Sequence, residues 1–398
     1  MNVPMPNERA DDVCPRPDRL PTLGAVPLVA PPYLTSVWRC ASTQQAEQLL
    51  AGEQEGFVYQ RDGHPNGHML AAKCAALHGA DRAVATSSGM SALAAALLSQ
   101  LETGDHLVVN RQLYGRSLAL MCQEAARLGI AATTVDTCDL QATAAAMQPR
   151  TRLIVTESIA NPMLEVADIE SLAELARRAG VRLMIDNTFA TPVLCRPLQR
   201  GADLVMESVS KMMNGHSDTM LGALCGTEQV WQRVPQVVST WGLASSPFDC
   251  YLAVRGLATL HLRMERACDN ARRAAEYLAG HSRVARVCYP GLPEHPHHRL
   301  ARRQFGDRFG SVVTFTLPGG RSAADAFIQA AQRIPFCPSL GEICTTLSHP
   351  QSTSHRGMTA AERAELGIEG GTIRLSLGCE SAEFVVGALH DALRNLGA

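Results

Sequence analysis

Val181-Arg182-Leu183-Met184-Ile185 runs into Asp186-Asn187-Thr188-Phe189-Ala190-Thr191-Pro192. A short apolar run closed by turn-forming residues reads as a strand buried on both faces of a parallel sheet. A carboxylate at the end of such a strand lies where α/β folds bind ligands. Taken alone, Asp186-Asn187 is equally well an Asx turn after a strand.

Downstream stands Ser208-Val209-Ser210-Lys211, followed by Asn214-Gly215-His216-Ser217-Asp218. A lysine amine forms Schiff bases once its pKa is lowered. On a strand, the hydroxyls of Ser208 and Ser210 would face one side and hold one phosphate. Upstream, Thr86-Ser87-Ser88-Gly89-Met90-Ser91 precedes the helical run Ala92 to Leu101. Small residues opening a helix offer free N–H groups and a dipole to a phosphate, or simply cap the helix. Leu113-Tyr114-Gly115 follows the strand-like His106 to Val109 and supplies an aromatic able to stack on a ring. A Schiff-base lysine, a phosphate cradle and a carboxylate for a pyridine nitrogen are together what pyridoxal phosphate requires.

With these motifs in order, the chain resembles the cystathionine γ-synthase/γ-lyase family, the Cys/Met-metabolism group of fold-type I pyridoxal phosphate enzymes. The resemblance runs from about Tyr59 to the C-terminus. It also rests on Tyr59-Gln60-Arg61, Glu157-Ser158-Ile159-Ala160-Asn161-Pro162, Ser246-Pro247-Phe248-Asp249, Arg255-Gly256-Leu257, Tyr289-Pro290-Gly291-Leu292, Ser339-Leu340-Gly341 and Ile373-Arg374-Leu375-Ser376. It implies a mostly parallel seven-stranded sheet in a large domain, a smaller C-terminal α/β domain and an N-terminal arm. It makes Lys211 the Schiff-base lysine and proton carrier, and Asp186 the partner of the ring nitrogen. Tyr114 stacks on the ring and protonates the departing γ group. Ser208, Ser210, Ser88 and the N–H groups of Gly89 and Met90 hold the phosphate, with Thr188 beside Asp186. Tyr59 and Arg61 reach that phosphate from a neighbouring subunit. Asn161, Ser339 and Arg374 meet the substrate, with Arg374 forking onto its α-carboxylate. The implied reaction is γ-elimination from a sulfur or homoserine-derived amino acid. The alternatives are γ-replacement on an activated homoserine ester, or β-elimination or aminotransfer on the same scaffold.

The chain departs from the family pattern in places. His64-Pro65-Asn66 stands for the usual Asn-Pro-Thr, Met212 for an aromatic, and Glu207 for a smaller or imidazole residue. Arg116 follows Tyr114-Gly115, where relatives often carry Gly or Cys, and Pro338 precedes Ser339, where many carry Glu. Arg116 is therefore a candidate for choosing an anionic γ substituent, unless it pairs with Glu207 or an interface carboxylate.

The formal net charge of −2 implies no attraction to nucleic acid or to membrane surfaces. The apolar stretches fall short of a spanning helix. Met1 to Pro21 is polar and proline-rich without an apolar core, so it reads as a flexible arm rather than a secretory signal. The 13 cysteines form no C-x-x-C pair and read as buried, reduced thiols of a cytoplasmic enzyme. His295-Pro296-His297-His298 lacks a completing ligand and reads as a surface loop, so no metal is expected.

Residues 1–67 read as an arm contacting a neighbouring subunit, with a short helix near Ser42 to Ala51. Residues 68–265 alternate helices with strands at His106–Asn110, Arg152–Thr156, Val181–Ile185, Asp203–Met206 and Leu221–Cys225, a pattern for a covered parallel sheet. A proline-free helical run, Asp249 to Ala279, leads into residues 266–398, with strands at Val284–Val287, Ser311–Leu317 and Thr372–Leu377. A homodimer or homotetramer that binds a small amino-acid substrate is the expected assembly.

Overall fold

The alternation of side chains along His106-Leu107-Val108-Val109-Asn110 sets the layering of the molecule. Leu107 and Val109 join one apolar cluster, while Val108 joins another, so both faces of this strand are covered. The same split recurs at Leu153 and Val155 against Ile154, and at Met184 against Leu183 and Ile185. In the computed structural model, which describes residues 24–396, these strands belong to one seven-stranded sheet. Its members are β1 (Arg82–Thr86), β2 (His106–Asn110), β3 (Ala131–Val135), β4 (Thr151–Glu157), β5 (Arg182–Asp186), β6 (Leu204–Glu207) and β7 (Gly222–Gly226), in the order β1-β7-β6-β5-β4-β2-β3. All pairs are parallel except those that β7 makes with β1 and β6. A mostly parallel sheet was the expectation, and it holds.

Helices cover both faces. The helix Gly89–Gln100 presents Ala92, Leu93, Ala96 and Leu97 to one cluster. The helices Pro65–His78 and Ile169–Ala179 present Leu70, Ile169 and Leu172 to the other. The run expected as one helix is two, Pro247–Leu257 and Leu260–Ala279, capped at the start by Ser246 rather than broken by its proline, which sits at the tolerated first turn.

A second sheet is antiparallel throughout: β8 (Arg286–Cys288), β9 (Val312–Thr316), β10 (Thr346–Ser348) and β11 (Thr372–Ser376), in the order β10-β11-β9-β8. Residues 32–396 make one compact unit, and residues 24–31 a separate short one without helix or strand. Met1 to Pro21, expected as a flexible arm, lies outside the described residues. The short helix near its expected place is Thr43–Ala51, capped by Ser42.

The histidine stretch departs from expectation. His295 is buried, His297 accepts the Val166 N–H on Nδ1, and His298 Nδ1 lies 2.8 Å from the Pro290 carbonyl. These rings are spent on main-chain groups, which is why the segment is packed rather than a free surface loop.

Candidate active site

Three carboxylates end three adjacent parallel strands: Glu157 on β4, Asp186 on β5 and Glu207 on β6. Glu157 is in register with Asp186, and Met206, the neighbour of Glu207, with Asp186. Asp186 is nearly buried and accepts the Thr188 N–H at 3.0 Å and the Thr188 hydroxyl at 2.6 Å, both on Oδ1. Burial pushes its carboxyl up, against the two Thr188 bonds that pull it down, with the Glu207 charge adding to the rise. No cation stands within ion-pair distance of Asp186 among the described residues. A buried carboxylate without a countercharge suits a pyridinium N–H.

Glu157 is the residue that sequence reasoning quoted without a role. Its Oε1 accepts the Tyr114 N–H at 2.7 Å and its Oε2 the Asn161 N–H at 3.1 Å. It thereby ties together two segments that carry site residues. Burial raises its pKa, with the Asp186 charge second, against the pull of those two bonds.

Lys211 lies beyond the end of β6, in a turn where its N–H bonds the Ser208 carbonyl at 3.0 Å. Ser208 and Ser210 are thus on a turn, not on a strand, and the expected alternation does not apply. Ser208 sits against Gly89: a Cβ at Gly89 would lie 3.1 Å from the Ser208 Oγ. The Ser208 N–H donates to the Thr188 hydroxyl at 2.9 Å, linking this turn to the Asp186 loop. Ser210 differs from its expected role. Its hydroxyl donates to the Leu221 carbonyl and accepts the Leu221 N–H, so its one proton is committed to a loop brace. The turn is pinned further by Arg263, which donates to the carbonyls of Met212 at 2.7 Å and Met213 at 2.9 Å. Nothing in the spacing of the sequence signals Arg263, because its targets are main-chain oxygens.

Ser88 caps the helix Gly89–Gln100, its hydroxyl accepting the Ser91 N–H at 3.1 Å. The N–H groups of Gly89 and Met90 are in the first turn and have no intrahelical partner. With Ser208 alongside, this is a cradle for an anion.

Lys211 Nζ donates to the Ser339 hydroxyl at 2.9 Å. Burial lowers its pKa, opposed by Glu342 and helped by Arg374. Arg374, on β11, donates from Nη1 to the Asn161 Oδ1 and from Nη2 to the Ser339 carbonyl, both at 2.8 Å. It is buried, its Nε has no partner, and no carboxylate reaches it within ion-pair distance among the described residues. Burial pushes its pKa down to about 10. A buried guanidinium with an open donor and no anion has room for one. His355, buried beside Arg374, is also gathered here; burial first and then the Arg374 charge lower its pKa to about 4. Glu342 contributes a buried oxygen without a partner, in the loop that carries Ser339.

Tyr114 is partly exposed at the lip of this cluster, and Arg116 is exposed without an ion pair or hydrogen bond among the described residues. The pairing of Arg116 with Glu207 is excluded. Glu207 is fully buried, 3.2 Å from His78 Nε2, and its Oε1 accepts the Asn187 amide at 3.0 Å. Tyr59 and Arg61 are not gathered into the cluster. Both are exposed, with the Arg61 guanidinium 5.2 Å from the centre of the Tyr59 ring. A second group of possible ligands, Asp136, Cys138 and Glu165, is close enough to hold an ion. However, Asp136 pairs with Arg111, Glu165 accepts from the Gln112 amide, and Cys138 donates to the Val166 carbonyl. The residues around Lys211 fit pyridoxal phosphate at each of its ends: an amine, a phosphate cradle, and an uncompensated carboxylate.

Comparison with known proteins bears on this arrangement. A family model described as Cys/Met metabolism PLP-dependent enzyme matches residues 20–394. L-methionine gamma-lyase from Fusobacterium nucleatum subsp. polymorphum is 38% identical over 372 residues, covering 93% of this chain and 94% of that protein. O-succinylhomoserine sulfhydrylase from Pseudomonas aeruginosa is 39% identical over 351 residues, covering 88% and 87%. The crystal structure of cystathionine gamma synthase from Xanthomonas oryzae pv. oryzae, in complex with aminoacrylate and cysteine, matches with a TM-score of 0.88 at 36% identity over 93% of each chain.

Proposed function

The chain belongs to the Cys/Met metabolism PLP-dependent enzymes, and on that premise we propose that it removes the γ substituent of a sulfur or homoserine-derived amino acid by elimination. The observation that carries this reading is the convergence of an amine and a guanidinium on one residue. Lys211 Nζ bonds the Ser339 hydroxyl and Arg374 Nη2 bonds the Ser339 carbonyl. An amino acid held by its carboxylate on Arg374 therefore presents its Cα to Lys211.

Bound pyridoxal phosphate supplies the electron sink that acidifies Cα and then Cβ. The protein does the rest. Asp186, buried and without a countercharge, would pair with the ring nitrogen and keep it protonated. Gly89, Met90, Ser88 and Ser208 would hold the phosphate, and Tyr59 and Arg61 would reach it from a neighbouring subunit. Thr188 fixes both Asp186 and Ser208. Lys211, its proton affinity lowered by burial, takes a proton from Cα and moves it on. Tyr114, steadied through its N–H by Glu157, donates a proton to the departing γ group. Asn161 holds Arg374 in line with the carboxylate. Ser210 supports the lysine turn through Leu221. The working unit is a homodimer or homotetramer in the cytoplasm, built from residues 1–67 as arm, 68–265 as cofactor domain and 266–398 as small domain.

Incubation with cystathionine, methionine and acyl or phospho homoserine, with and without added thiol, tests the reading. Elimination releases a 2-oxo acid and ammonia whether or not thiol is present. Product that appears only with thiol assigns γ-replacement instead, the reaction that the sulfhydrylase relative's name describes. A 2-oxo acid that keeps its γ substituent, with the substrate's nitrogen left on the cofactor as its amine form and no ammonia released, assigns aminotransfer. Arg116, free and beside Gly115, favours an anionic distal group. Arg116→Gln should then lower kcat/KM for succinyl or phospho esters by about one to two decades more than for methionine. Equal loss for both would remove Arg116 from substrate choice.

A further inference from the structure

His64 is the N-cap of the helix Pro65–His78, a place that short oxygen-bearing side chains usually fill. Its Nδ1 accepts the Gly67 N–H at 3.0 Å. Its Nε2 lies 3.2 Å from both the carbonyl oxygen and the hydroxyl of Ser245. These contacts fix the tautomer. Nδ1 must be bare to accept, so the single proton of the neutral ring sits on Nε2 and points to Ser245. A second proton would land on Nδ1 and set two donors face to face. The cap exists only while the ring is neutral.

The ring fits because of Gly67, where a Cβ would lie 2.9 Å from the His64 Cε1 and Nε2. His64 and Gly67 are thus a matched pair, within the stretch where this chain departs from Asn-Pro-Thr. His64 is buried. Burial, the largest cause, lowers its pKa from the ordinary 6.5, against the Ser245 bond that raises it and with His68 lowering it further. The cavity of about 170 Å³ beside it carries Arg61, Asp62 and His68 as its charged or titratable groups. Its far wall, Ala83 to Ala85 with Trp231 and Val238, carries none. Asp62 is engaged by the Ser239 hydroxyl, and the His68 ring stands edge-on to Phe57. Gly63 alone separates His64 from the turn Gln60–Asp62, which holds Arg61.

We infer that His64 is a proton-gated positioning residue: its neutral ring fixes the helix start and with it the Tyr59–Arg61 turn, and protonation loosens that turn's grip on a cofactor phosphate. This rests on the proposed assignment of Tyr59 and Arg61 to the phosphate.

The test uses holoenzyme and measures the pyridoxal phosphate retained per subunit at equilibrium, from about pH 8 down to about pH 4.5, well below the ordinary histidine range because burial lowers the pKa of the ring. It compares wild type, His64→Asn, which caps without titrating, and Arg61→Ala. Other groups that titrate at the site act equally in wild type and His64→Asn, so their difference isolates His64. Wild type should lose affinity as the pH falls, by about fivefold more than His64→Asn, the equivalent of one lost cap. The melting temperature of the apoenzyme should show the same contrast. If Arg61→Ala weakens retention but His64→Asn keeps the full wild-type fall, the gate is wrong and the clamp stands. If Arg61→Ala leaves retention unchanged, the clamp itself is wrong and the proposal falls with it.

Discussion

Glu157 binds two main-chain N–H groups with its two carboxylate oxygens, and does so from a buried position. The donors belong to Tyr114 and Asn161, so one side chain sets the attitude of two site residues. Removing it leaves the buried Asn161 donor without an acceptor, at about 1–3 kcal/mol, and the partly buried Tyr114 donor at less than that. Glu157→Ala should therefore lower the urea midpoint and cut kcat/KM together. Glu157→Gln keeps one acceptor and should fall between. Wild-type kinetics in the alanine variant would show that Tyr114 and Asn161 do not need this anchor. Lys211, Asp186 and Arg374 stood out in the sequence because each is a charged residue in or beside an apolar run. Glu157 stood in a quoted motif, but its role depends on two backbone groups that no spacing reveals.

The start of the helix Gly89–Gln100 shows what an element adds to its residues. Gly89 packs so closely on Ser208 that a methyl group there would sit 3.0 Å from the Ser208 Cβ and 3.2 Å from its Cα. Contacts this tight leave no slack, because Cα belongs to the backbone. Gly89→Ala should displace Ser208 from the helix start and weaken retention of pyridoxal phosphate by about tenfold, while the helix itself gains propensity. Equilibrium dialysis of the cofactor alongside circular dichroism separates the two effects. Undiminished retention would mean that Ser208 and the helix start do not form one cradle. The strands that escaped notice in the sequence are also explained at this scale. β1 is Arg-Ala-Val-Ala-Thr and β3 is Ala-Ala-Thr-Thr-Val, and both are edge strands of the large sheet. Edge positions demand less apolar character, so the signal is weak. β10 is too short to show a period.

Two predictions belong to the whole molecule. Tyr59 and Arg61 are exposed in the single chain, as are Val37, Met220, Trp241 and Phe248. If a neighbouring subunit completes the site, inactive Arg61→Ala and Lys211→Ala variants should regain partial activity on mixing under conditions of subunit exchange. A mixture as inactive as its parents would rule out a shared site. The second concerns acid. His295 and His355 are buried and both are pushed down to about 4, chiefly by burial. Their folded pKa lies below the unfolded one, so they contribute stability above about pH 6.5 that is lost as the pH falls toward 4. Each is worth ~3 kcal/mol at most. The denaturant midpoint should drop between these limits, and less steeply in His295→Gln. An equal drop in that variant would free His295 of any part in acid sensitivity.

Sequence by itself determined the layered parallel sheet, because both faces of β2, β4 and β5 must be apolar to be buried, and burial writes itself into composition. It also determined the chemistry-bearing residues that end strands or open a helix, since those positions have fixed places in such a sheet. Tertiary structure alone decided how they meet. It put Ser210 on a brace instead of a phosphate, gave Glu207 to His78 instead of Arg116, and set Arg263 on the lysine turn. These outcomes depend on hydrogen bonds between residues far apart in the chain, many of them to main-chain atoms that every residue carries, so no pattern of side chains announces them.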